Sequence, residues 1–552
     1  MGIIKFIYPI REVILTMDNK LPAIAYFCME YGLDTNFKTY AGGLGILAGD
    51  YLKGAKDTGM PIIGIGLKWK QGYGDQIIGK DSKPFDAYHN YSYDFLEDTG
   101  VKVTVNIRQR DVACKIWKVN KFGNADIYLL DTDLPENEDA WITGQLYGWF
   151  GEERIAQEMV LGIGGVRALR MLGIDIDIYH FNEGHAVLAA LELIKELQGG
   201  GMNFAEALDT VRKEVVFTTH TPIRQGNEEH YLDRLQYMGA FNGLTSDEMV
   251  HIGGNPFNMT VAALRVCKKS NAVAALHAET ANKMWEHVDY PKPIVGITNA
   301  IHVPTWVDSE MLAAADGSGN LWDTHMKNKR NLVEFVKERT GAVLDPDILL
   351  IGFSRRAAPY KRSNFIFSDE SIVGPLLENG QLQLVFSGKA HPLDDMGKQI
   401  IANLLAMSKK YPNSVVFLEN YDMEIGKMLT RGSDIWLNNP RRPNEASGTS
   451  GMKAAMNGVL NLSILDGWWP EACQHGINGW QIGDGFESSD VAEQDRHDLQ
   501  SLYKVLLDEV LPTYYSNRGK WLEMMKNSIN STRYEFSMER MLKEYYEKLY
   551  NA

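Results

Sequence analysis

The sequence is poor in cysteine and has no cysteine pair at the spacing of a redox or zinc motif. Its four cysteines, Cys28, Cys114, Cys267 and Cys473, lie far apart in a chain of 552 residues. Disulfide frameworks and zinc knuckles need clustered cysteines, so this pattern argues against both and favours a reducing compartment. We therefore expect a cytoplasmic protein.

Long apolar runs are also missing. No run approaches the ~20 residues of a membrane-spanning helix. The stretch from residue 1 to 16 is partly apolar, but Lys5, Pro9 and Arg11 interrupt it too often for a signal peptide. The sequence therefore predicts no membrane partner.

The sequence has no excess of basic residues. Its formal net charge is −15, and nucleic-acid binding needs a basic face, so a nucleic-acid partner is not expected. Hydrophobic residues make up 45% and charged residues 23%, as in an ordinary soluble globular protein. A chain of this length exceeds one hydrophobic core, so we expect three or four units of ~150 residues or two large α/β domains.

The first half of the chain alternates predicted strands with helices. Residues 22–27 and 61–67 predict strands on either side of residues 40–52, a glycine-rich turn that runs into a helix. Residues 102–130 predict extended, partly antiparallel strands, and residues 152–172 predict a helix. This order is typical of an α/β fold.

Polar residues follow two further strands. Residues 175–181 predict a strand that ends at the polar group 182–185, and residues 213–219 predict another that ends beside His220. Residues 256–287 are expected to be mainly helical. In α/β proteins, ligands bind at the carboxyl ends of strands, so these polar groups are candidate ligand-binding residues.

The second half repeats the strand–helix plan more regularly. Its predicted strands are residues 347–353, 382–386, 414–418, 434–437 and 459–465, and polar residues follow the first four. This pattern predicts a parallel doubly wound sheet. We expect an α/β protein with two Rossmann-like doubly wound domains that face a central cleft. The expected domains are residues 1–298 and 299–532, and the terminal segment 533–552, with an amphipathic helix at 537–549, is expected to pack back on the first.

One stretch of the second half stands out by its small residues. Ala446 to Gly451 are all small, and the helix-favouring segment 452–457 follows with Lys453 in its first or second turn. A Ser/Gly/Thr loop at a helix N-terminus offers backbone N–H groups, hydroxyls and a positive dipole end to an anion. The alternative is a capped surface helix with a solvated lysine.

Several cations follow strands in the second half. Arg356 and Lys389 each follow a predicted strand, and Lys361 is expected to open the helix after the same turn as Arg356. Together with Lys453 they indicate an anionic ligand with more than one phosphate. Each cation taken singly is compatible with a solvated surface charge, and His220 alone with a structural histidine.

The stretch E-A-S-G-T-S-G-M-K resembles the pyridoxal-phosphate signature of the glycogen/α-glucan phosphorylase family, E-A-S-G-T-G-N-M-K. The resemblance implies that Lys453 forms the Schiff base with the cofactor. The two patterns differ at Ser450-Gly451, where many members have Gly-Asn.

Other motifs of that family occur in the same order along the chain. G-G-L-G-x-L-A begins at Gly42, T-T-H-T contains His220, R-R-x-x-x-Y-K-R contains Arg356 and Lys361, and L-E-N-Y ends at Tyr421. N-E-G-H and T-N-A-I-H-V-P-T-W resemble family segments more loosely. The family resemblance assigns site residues by role. Catalytic roles fall on His220, Arg356, Lys361 and Lys453. Cofactor contacts fall on Gly43, Thr449, Ser450, Gly451 and Lys453, and substrate contacts fall on Gly42, Gly43, Leu44, Asn182, His185, Asn299, Tyr421, Glu445, Ser447 and Gly448.

The resemblance implies the two-domain GT-B-like architecture of glycosyltransferases and the short bacterial or archaeal form of the enzyme. The implied reaction is reversible phosphorolysis of terminal α-1,4-linked glucose from glucan or maltodextrin, with inorganic phosphate, pyridoxal 5′-phosphate and retention at the anomeric carbon. The sequence leaves open a nucleotide-sugar-dependent glycogen or starch synthase-like enzyme and a non-catalytic glucan-binding protein. A homo-oligomer is compatible with the sequence.

Overall fold

The computed structural model describes residues 21–148 and 151–551. The prediction that residues 1–16 are no signal peptide lies outside them. No helix within these two ranges is long and apolar enough to cross a membrane.

The strands of the described residues are numbered along the chain. They are β1 (Ile24–Phe27), β2 (Ile62–Leu67), β3 (Asp75–Ile78), β4 (Pro84–Ala87), β5 (Glu97–Ile107), β6 (Arg110–Val119), β7 (Ile127–Asp131), β8 (Ile178–Asn182), β9 (Val215–Thr218), β10 (Glu229–His230), β11 (Phe257–Asn258), β12 (Lys269–Ala272), β13 (Val295–Gly296), β14 (Leu350–Ser354), β15 (Gln383–Ser387), β16 (Val415–Leu418), β17 (Ile435–Asn438), β18 (Leu460–Ile464) and β19 (Gly479–Ile482).

The α-helices are numbered in the same way. They are α1 (Gly43–Thr58), α2 (Glu152–Met159), α3 (Gly165–Met171), α4 (Leu188–Gly199), α5 (Phe204–Glu214), α6 (Leu232–Met238), α7 (Ser246–Gly253), α8 (Met259–Val266), α9 (Ala275–Met284), α10 (Val303–Trp306), α11 (Ser309–Ala315), α12 (Leu321–Thr340), α13 (Glu370–Glu378), α14 (Asp395–Lys410), α15 (Met423–Gly432), α16 (Thr449–Met456), α17 (Trp469–Ala472), α18 (Val491–Val505), α19 (Leu511–Ser516), α20 (Arg518–Thr532) and α21 (Met538–Tyr545).

The first half of the chain forms a nine-stranded sheet in the order β13-β12-β9-β8-β1-β2-β7-β6-β5. The strands from β13 to β7 pair in parallel, whereas β5, β6 and β7 pair antiparallel. The predicted antiparallel region at 102–130 is therefore confirmed. The prediction of a mainly helical segment at 256–287 missed β12, which lies in the middle of it and pairs with β9.

The second half forms a six-stranded sheet in the order β16-β15-β14-β17-β18-β19, and every neighbouring pair is parallel. The predicted parallel α/β sheet is confirmed. Strand β19 was not predicted, because Gly479 and Gln481 interrupt its apolar pattern. The strand ends after β14, β15, β16 and β17 carry the predicted polar residues to one edge, because the carboxyl ends of parallel strands share an edge.

Contacts join the first and second halves of the chain near the glycine-rich turn. Strands β3 and β4 form a separate two-stranded sheet. Gln76 of β3 exchanges two hydrogen bonds with the backbone of Ala390, at 2.8 and 3.1 Å. The Tyr40 hydroxyl accepts a hydrogen bond from the Met423 backbone at 3.1 Å. Ile46 of α1 and Met423 of α15 belong to one apolar cluster, so the first turn of α1 lies near the second half of the chain.

The terminal helix α21 packs on the elements of the first sheet. Its buried residues Met538 and Leu542 pack in one apolar cluster with Ile24 and Leu52. A Cβ placed on Gly54 of α1 would lie 2.7 Å from the Met538 Cβ, so the two helices need glycine at that position. The domain boundaries at 298 and 532 stay a prediction.

Candidate active site

Lys453 lies on the buried face of α16. The helix begins at Thr449, directly after Gly448, whose φ of 90° lies in the left-handed region that glycine tolerates. The Lys453 side chain is buried, and its Nζ lies 3.5 Å from the centre of the Trp306 ring. Within the described residues this Nζ makes no hydrogen bond and no ion pair. Burial lowers the pKa of Lys453 to about 8, so a neutral amine is accessible near neutral pH.

Asp50 of α1 holds the Trp306 ring at its Nε1 edge. The Trp306 Nε1 donates to both carboxylate oxygens of Asp50, at 2.8 and 3.0 Å, and the His302 backbone N–H donates to one of them at 3.1 Å. Asp50 is almost fully buried, and its charge acts to raise the pKa of Lys453 against the larger effect of burial. Asp50 from the first half of the chain and Trp306 from the second therefore fix the surroundings of the Lys453 amine.

Glu445 lies between two cations, Arg355 and Lys361. It is buried and pairs with Arg355 and with Lys361, whose Nζ lies 3.0 Å from Glu445 Oε2. Burial acts to raise the pKa of Glu445, but the charges of Arg355 and Lys361 hold it below the ordinary value. Lys361 therefore lies beside Glu445, and its ammonium retains donors for a phosphate because it carries three.

Lys361 does not open an α-helix, contrary to the prediction. It ends the short 3₁₀ helix Pro359–Lys361, and the next α-helix, α13, begins only at Glu370. Proline at the start and the left-handed Arg362 at the end confine the helix to a single turn. Lys361 therefore lies in a single 3₁₀ turn and not at the N-terminus of an α-helix.

Arg356 is exposed, and its guanidinium makes no hydrogen bond or ion pair with any described residue. Its charge nevertheless acts to lower the pKa of Tyr73, His391 and Glu445, so Arg356 lies near all three. The solvent-accessible guanidinium of Arg356, which has no carboxylate partner of its own among the described residues, is suited to bind an anion from solution.

The glycine-rich turn presents its backbone to open space. A Cβ added to Gly42 or to Gly43 would meet nothing within 4 Å. Glu30 already accepts the backbone N–H of Ala41 at 2.6 Å and that of Gly42 at 3.2 Å. The backbone N–H groups of Gly43 and Leu44, at the start of α1, are therefore the ones left to bind an anion there.

His220 and Asn182 form a hydrogen-bonded pair at the ends of β9 and β8. The Asn182 amide donates to Cys28 Sγ at 3.2 Å, so its Oδ1 accepts from His220 Nε2 at 2.6 Å. This assignment leaves His220 Nδ1 as the acceptor nitrogen. Burial lowers the pKa of His220 to about 3, so the imidazole is neutral and acts as a hydrogen-bonding group rather than as a cation.

Four other predicted residues are buried or half-buried around these groups. The buried His185 Nε2, Asn299 Oδ1 and Ser447 Oγ each lack a hydrogen-bond partner in the described part of the chain. Such atoms are unusual in a native fold and are candidate ligand contacts. Tyr421 is half-buried, and its hydroxyl lies 2.6 Å from where a Cβ on Gly426 would be. Its side chain therefore depends on that glycine for its place.

Ser450, Gly451 and Lys389 have structural contacts. Ser450 Oγ accepts from Trp436 Nε1 at 3.2 Å, and Gly451 O accepts from Asn461 Nδ2 at 3.0 Å. Lys389 Nζ donates to the carbonyl of Gly74 at 3.0 Å, and burial lowers its pKa to about 8. Lys389 therefore joins the second half of the chain to the first. A role for Lys389 in anion binding stays a prediction.

Sequence reasoning missed Asp50, Glu30 and Arg355. Asp50 lies about two helical turns after the start of α1, in a stretch from Gly45 to Ala55 that is buried throughout. A buried acid on an apolar helix face was the available signal. Glu30 follows β1 directly, and Arg355 adjoins Arg356, but nothing in the sequence tells which arginine of the pair turns inward.

Known proteins that this chain resembles include carbohydrate phosphorylases. A family model described as carbohydrate phosphorylase matches residues 308–501. Maltodextrin phosphorylase of Thermococcus litoralis is 40% identical, over 96% of this chain and 70% of the relative. Glycogen phosphorylase of Aquifex aeolicus is 35% identical, over 99% of this chain and 89% of the relative, and that of Mycobacterium bovis is 35% identical, over 96% and 70%.

Proposed function

Because the chain belongs to the carbohydrate phosphorylase family, we propose that it is an α-glucan phosphorylase. The reaction would be reversible phosphorolysis of terminal α-1,4-linked glucose in a glucan or maltodextrin, which yields α-D-glucose 1-phosphate with retention. The observation that carries the proposal is the buried Lys453, which has no hydrogen-bond partner in the described residues. A nucleotide-sugar-dependent synthase has no use for such a lysine.

The residues around Lys453 fit pyridoxal 5′-phosphate. The amine is buried and its pKa is lowered to about 8, so its neutral form, which is the nucleophile towards the aldehyde of the cofactor, is accessible near neutral pH. Trp306 offers an aromatic face beside it, and Thr449 begins the helix whose N-terminus favours an anion. In this family the cofactor supplies its 5′-phosphate beside the substrate phosphate.

The cations of the second half would hold the substrate phosphate. Arg356 is accessible, and Lys361 lies against Glu445 at 3.0 Å. Two phosphates close together repel each other, and this repulsion is offset by the guanidinium, the ammonium and the N–H groups of Gly43 and Leu44. Inorganic phosphate would protonate the glycosidic oxygen and then attack the oxocarbenium-like carbon from the same face.

The groups of the first half would orient the sugar. Neutral His220 offers Nδ1 as an acceptor to a sugar hydroxyl, because Asn182 fixes its Nε2. Asn299 Oδ1 and Ser447 Oγ are buried polar atoms without a partner among the described residues, and both can bind hydroxyl groups. Phosphate acts as both acid and nucleophile, so no carboxylate pair is needed, unlike in ordinary glycosidases.

The experiment that tests the cofactor site maps the attachment point. Borohydride reduction of the purified protein followed by peptide mapping is expected to place the adduct on Lys453, and Lys453→Ala is expected to abolish it. Lys389 is the matched control, because it is also buried with a pKa lowered to about 8. An adduct on Lys389, or one that persists in Lys453→Ala, would contradict the assignment.

A further inference from the structure

A second cluster of ionisable groups contains none of the residues assigned above. Glu158 lies on α2, and Glu228 and His230 lie on the segment that enters β10. One ligand atom from each of the three lies within 4.8 Å of the others. Glu228 and His230 are two residues apart in extended chain, so their side chains leave the backbone on the same side.

The backbone around this cluster is well fixed. Strand β10 pairs antiparallel with β11, with His230 opposite Phe257. The Glu228 carbonyl accepts the backbone N–H of Met259 at 3.0 Å. The two ligand-type side chains are therefore held by a β-ladder on one side and face a helix on the other.

One carboxylate oxygen of Glu158 pairs with His230, and the other has no partner among the described residues. Its side chain is 0% exposed, and its Oε2 lies 2.8 Å from His230 Nε2. Its Oε1 has no hydrogen-bond partner among the described residues. Arg154 forms its ion pair with Glu228, at 3.7 Å from Nε to Oε1, and its Nε makes no hydrogen bond to a described residue. A buried carboxylate oxygen without a donor or cation is strongly unfavourable.

We propose that Glu158, Glu228 and His230 bind one divalent transition-metal ion, with zinc as the best match. Imidazole nitrogen and carboxylate oxygen are both ligands of Zn²⁺, with bonds of about 2.0–2.2 Å. Two such ligand atoms are at most about 4.4 Å apart, so small side-chain rotations bring the set together. Glu228 is 30% exposed, which gives an ion a route from solvent.

The proposed ion would anchor the segment that carries His220. At the start of this segment, the His220 backbone N–H and the Thr221 hydroxyl donate to Glu183 Oε1, at 2.5 and 3.1 Å. At its end, the ion would join Glu228 and His230 to Glu158. The site would therefore have a structural role, and it does not depend on the proposed phosphorolysis.

The test uses the full chain and Zn²⁺ alone. The protein is dialysed against EDTA, loaded with Zn²⁺ and analysed by calorimetry and elemental analysis. We expect about one tightly bound Zn²⁺ per chain, and binding about tenfold or more weaker in Glu228→Gln. Glu229→Gln is the matched control: Glu229 is exposed and adjacent, its Oε1 accepts from Asn258, and glutamine retains that oxygen. It is expected to bind as the wild type does.

Failure of the wild type to bind Zn²⁺, or equal binding by Glu228→Gln, would overturn the proposal. If the wild type does not bind Zn²⁺, a proton shared between Glu158 and Glu228 would stabilise the cluster instead. If Glu228→Gln binds Zn²⁺ equally well, the ion binds at another site. X-ray absorption of the Zn²⁺-loaded wild type needs no variant to fold. It is expected to show one imidazole with oxygen ligands, and a sulfur ligand or an absence of imidazole would contradict the site.

Discussion

At the scale of single residues, the Lys453 pocket depends on a balance between burial and one negative charge. Burial lowers the pKa of Lys453 to about 8, while the Asp50 carboxylate raises it. Asp50 acts from a distance, because the Trp306 ring that it holds lies against the amine. The balance determines the pH at which the amine is neutral and able to react.

Removal of the Asp50 charge is expected to lower the pKa of Lys453 further. Asp50→Asn keeps the size of the side chain and an oxygen for Trp306. The rate at which the protein without cofactor takes up pyridoxal phosphate should rise through pH ~8 in the wild type, because the neutral amine is the nucleophile. In Asp50→Asn the midpoint should lie at lower pH. A rapid-mixing absorbance assay across pH measures it, and an unchanged midpoint would contradict the electrostatic role of Asp50.

Replacement of Arg356 is expected to weaken the use of phosphate more than the use of glucan. Arg356→Ala is expected to cost about 2–4 kcal/mol of transition-state stabilisation, as for loss of one oxyanion donor. The fold should survive, because Arg356 is exposed and makes no ion pair with a described residue. Phosphorolysis is assayed across phosphate concentrations at saturating maltodextrin.

A neighbouring arginine is the control for this experiment. Arg355→Ala leaves the buried Glu445 without its closest cation, so it is expected to lower thermal stability as well as activity. A well-folded Arg356→Ala protein with unchanged phosphate dependence and turnover would remove Arg356 from the site.

At the scale of secondary-structure elements, the first turn of α16 packs so closely against Asn461 and Trp468 that position 451 needs glycine. A Cβ on Gly451 would lie 2.7 Å from Asn461 Oδ1 and 2.8 Å from Trp468 Nε1. An asparagine side chain at 451, as in the family's Gly-Asn, would not fit against Trp468 and Asn461 as they stand here.

Gly451→Ala is therefore expected to destabilise the protein by about 1–3 kcal/mol through overpacking. Gly43→Ala is the matched control, because its added methyl group would meet nothing within 4 Å. Thermal unfolding followed by circular dichroism compares the two. Equal melting temperatures would show that the side chains around Gly451 give way easily.

Elements were predicted well where their pattern is local. Strands β14 to β18 and helix α1 follow from apolar runs and the glycines that precede or end them. Strand β12 was missed because Lys269, Ser270 and Asn271 are polar, and it forms only because β9 and β13 pair with it on either side. The pairing of Glu445 with Arg355 and Lys361 is likewise a tertiary contact, between residues 90 and 84 positions apart, which local spacing does not encode.

At the scale of the whole molecule, the candidate site draws on both sheets. Asp50 belongs to α1 in the first half, and Lys453 belongs to α16 in the second, and Trp306 joins them. We propose that residues 1–298 and 299–532 are two domains with this site between them, and that 533–552 returns to the first. Tyr550 of that segment hydrogen-bonds His180 of β8 at 2.7 Å, which supports the return.

Product analysis distinguishes phosphorolysis of an α-1,4-glucan at this site from hydrolysis of the same glucan. Purified protein with pyridoxal phosphate, maltodextrin and inorganic phosphate is expected to release α-D-glucose 1-phosphate, identified by NMR at the anomeric carbon. Lys453→Ala is expected to release none. Release of free glucose, release of β-glucose 1-phosphate, or α-glucose 1-phosphate formation by Lys453→Ala at the wild-type rate would contradict the account.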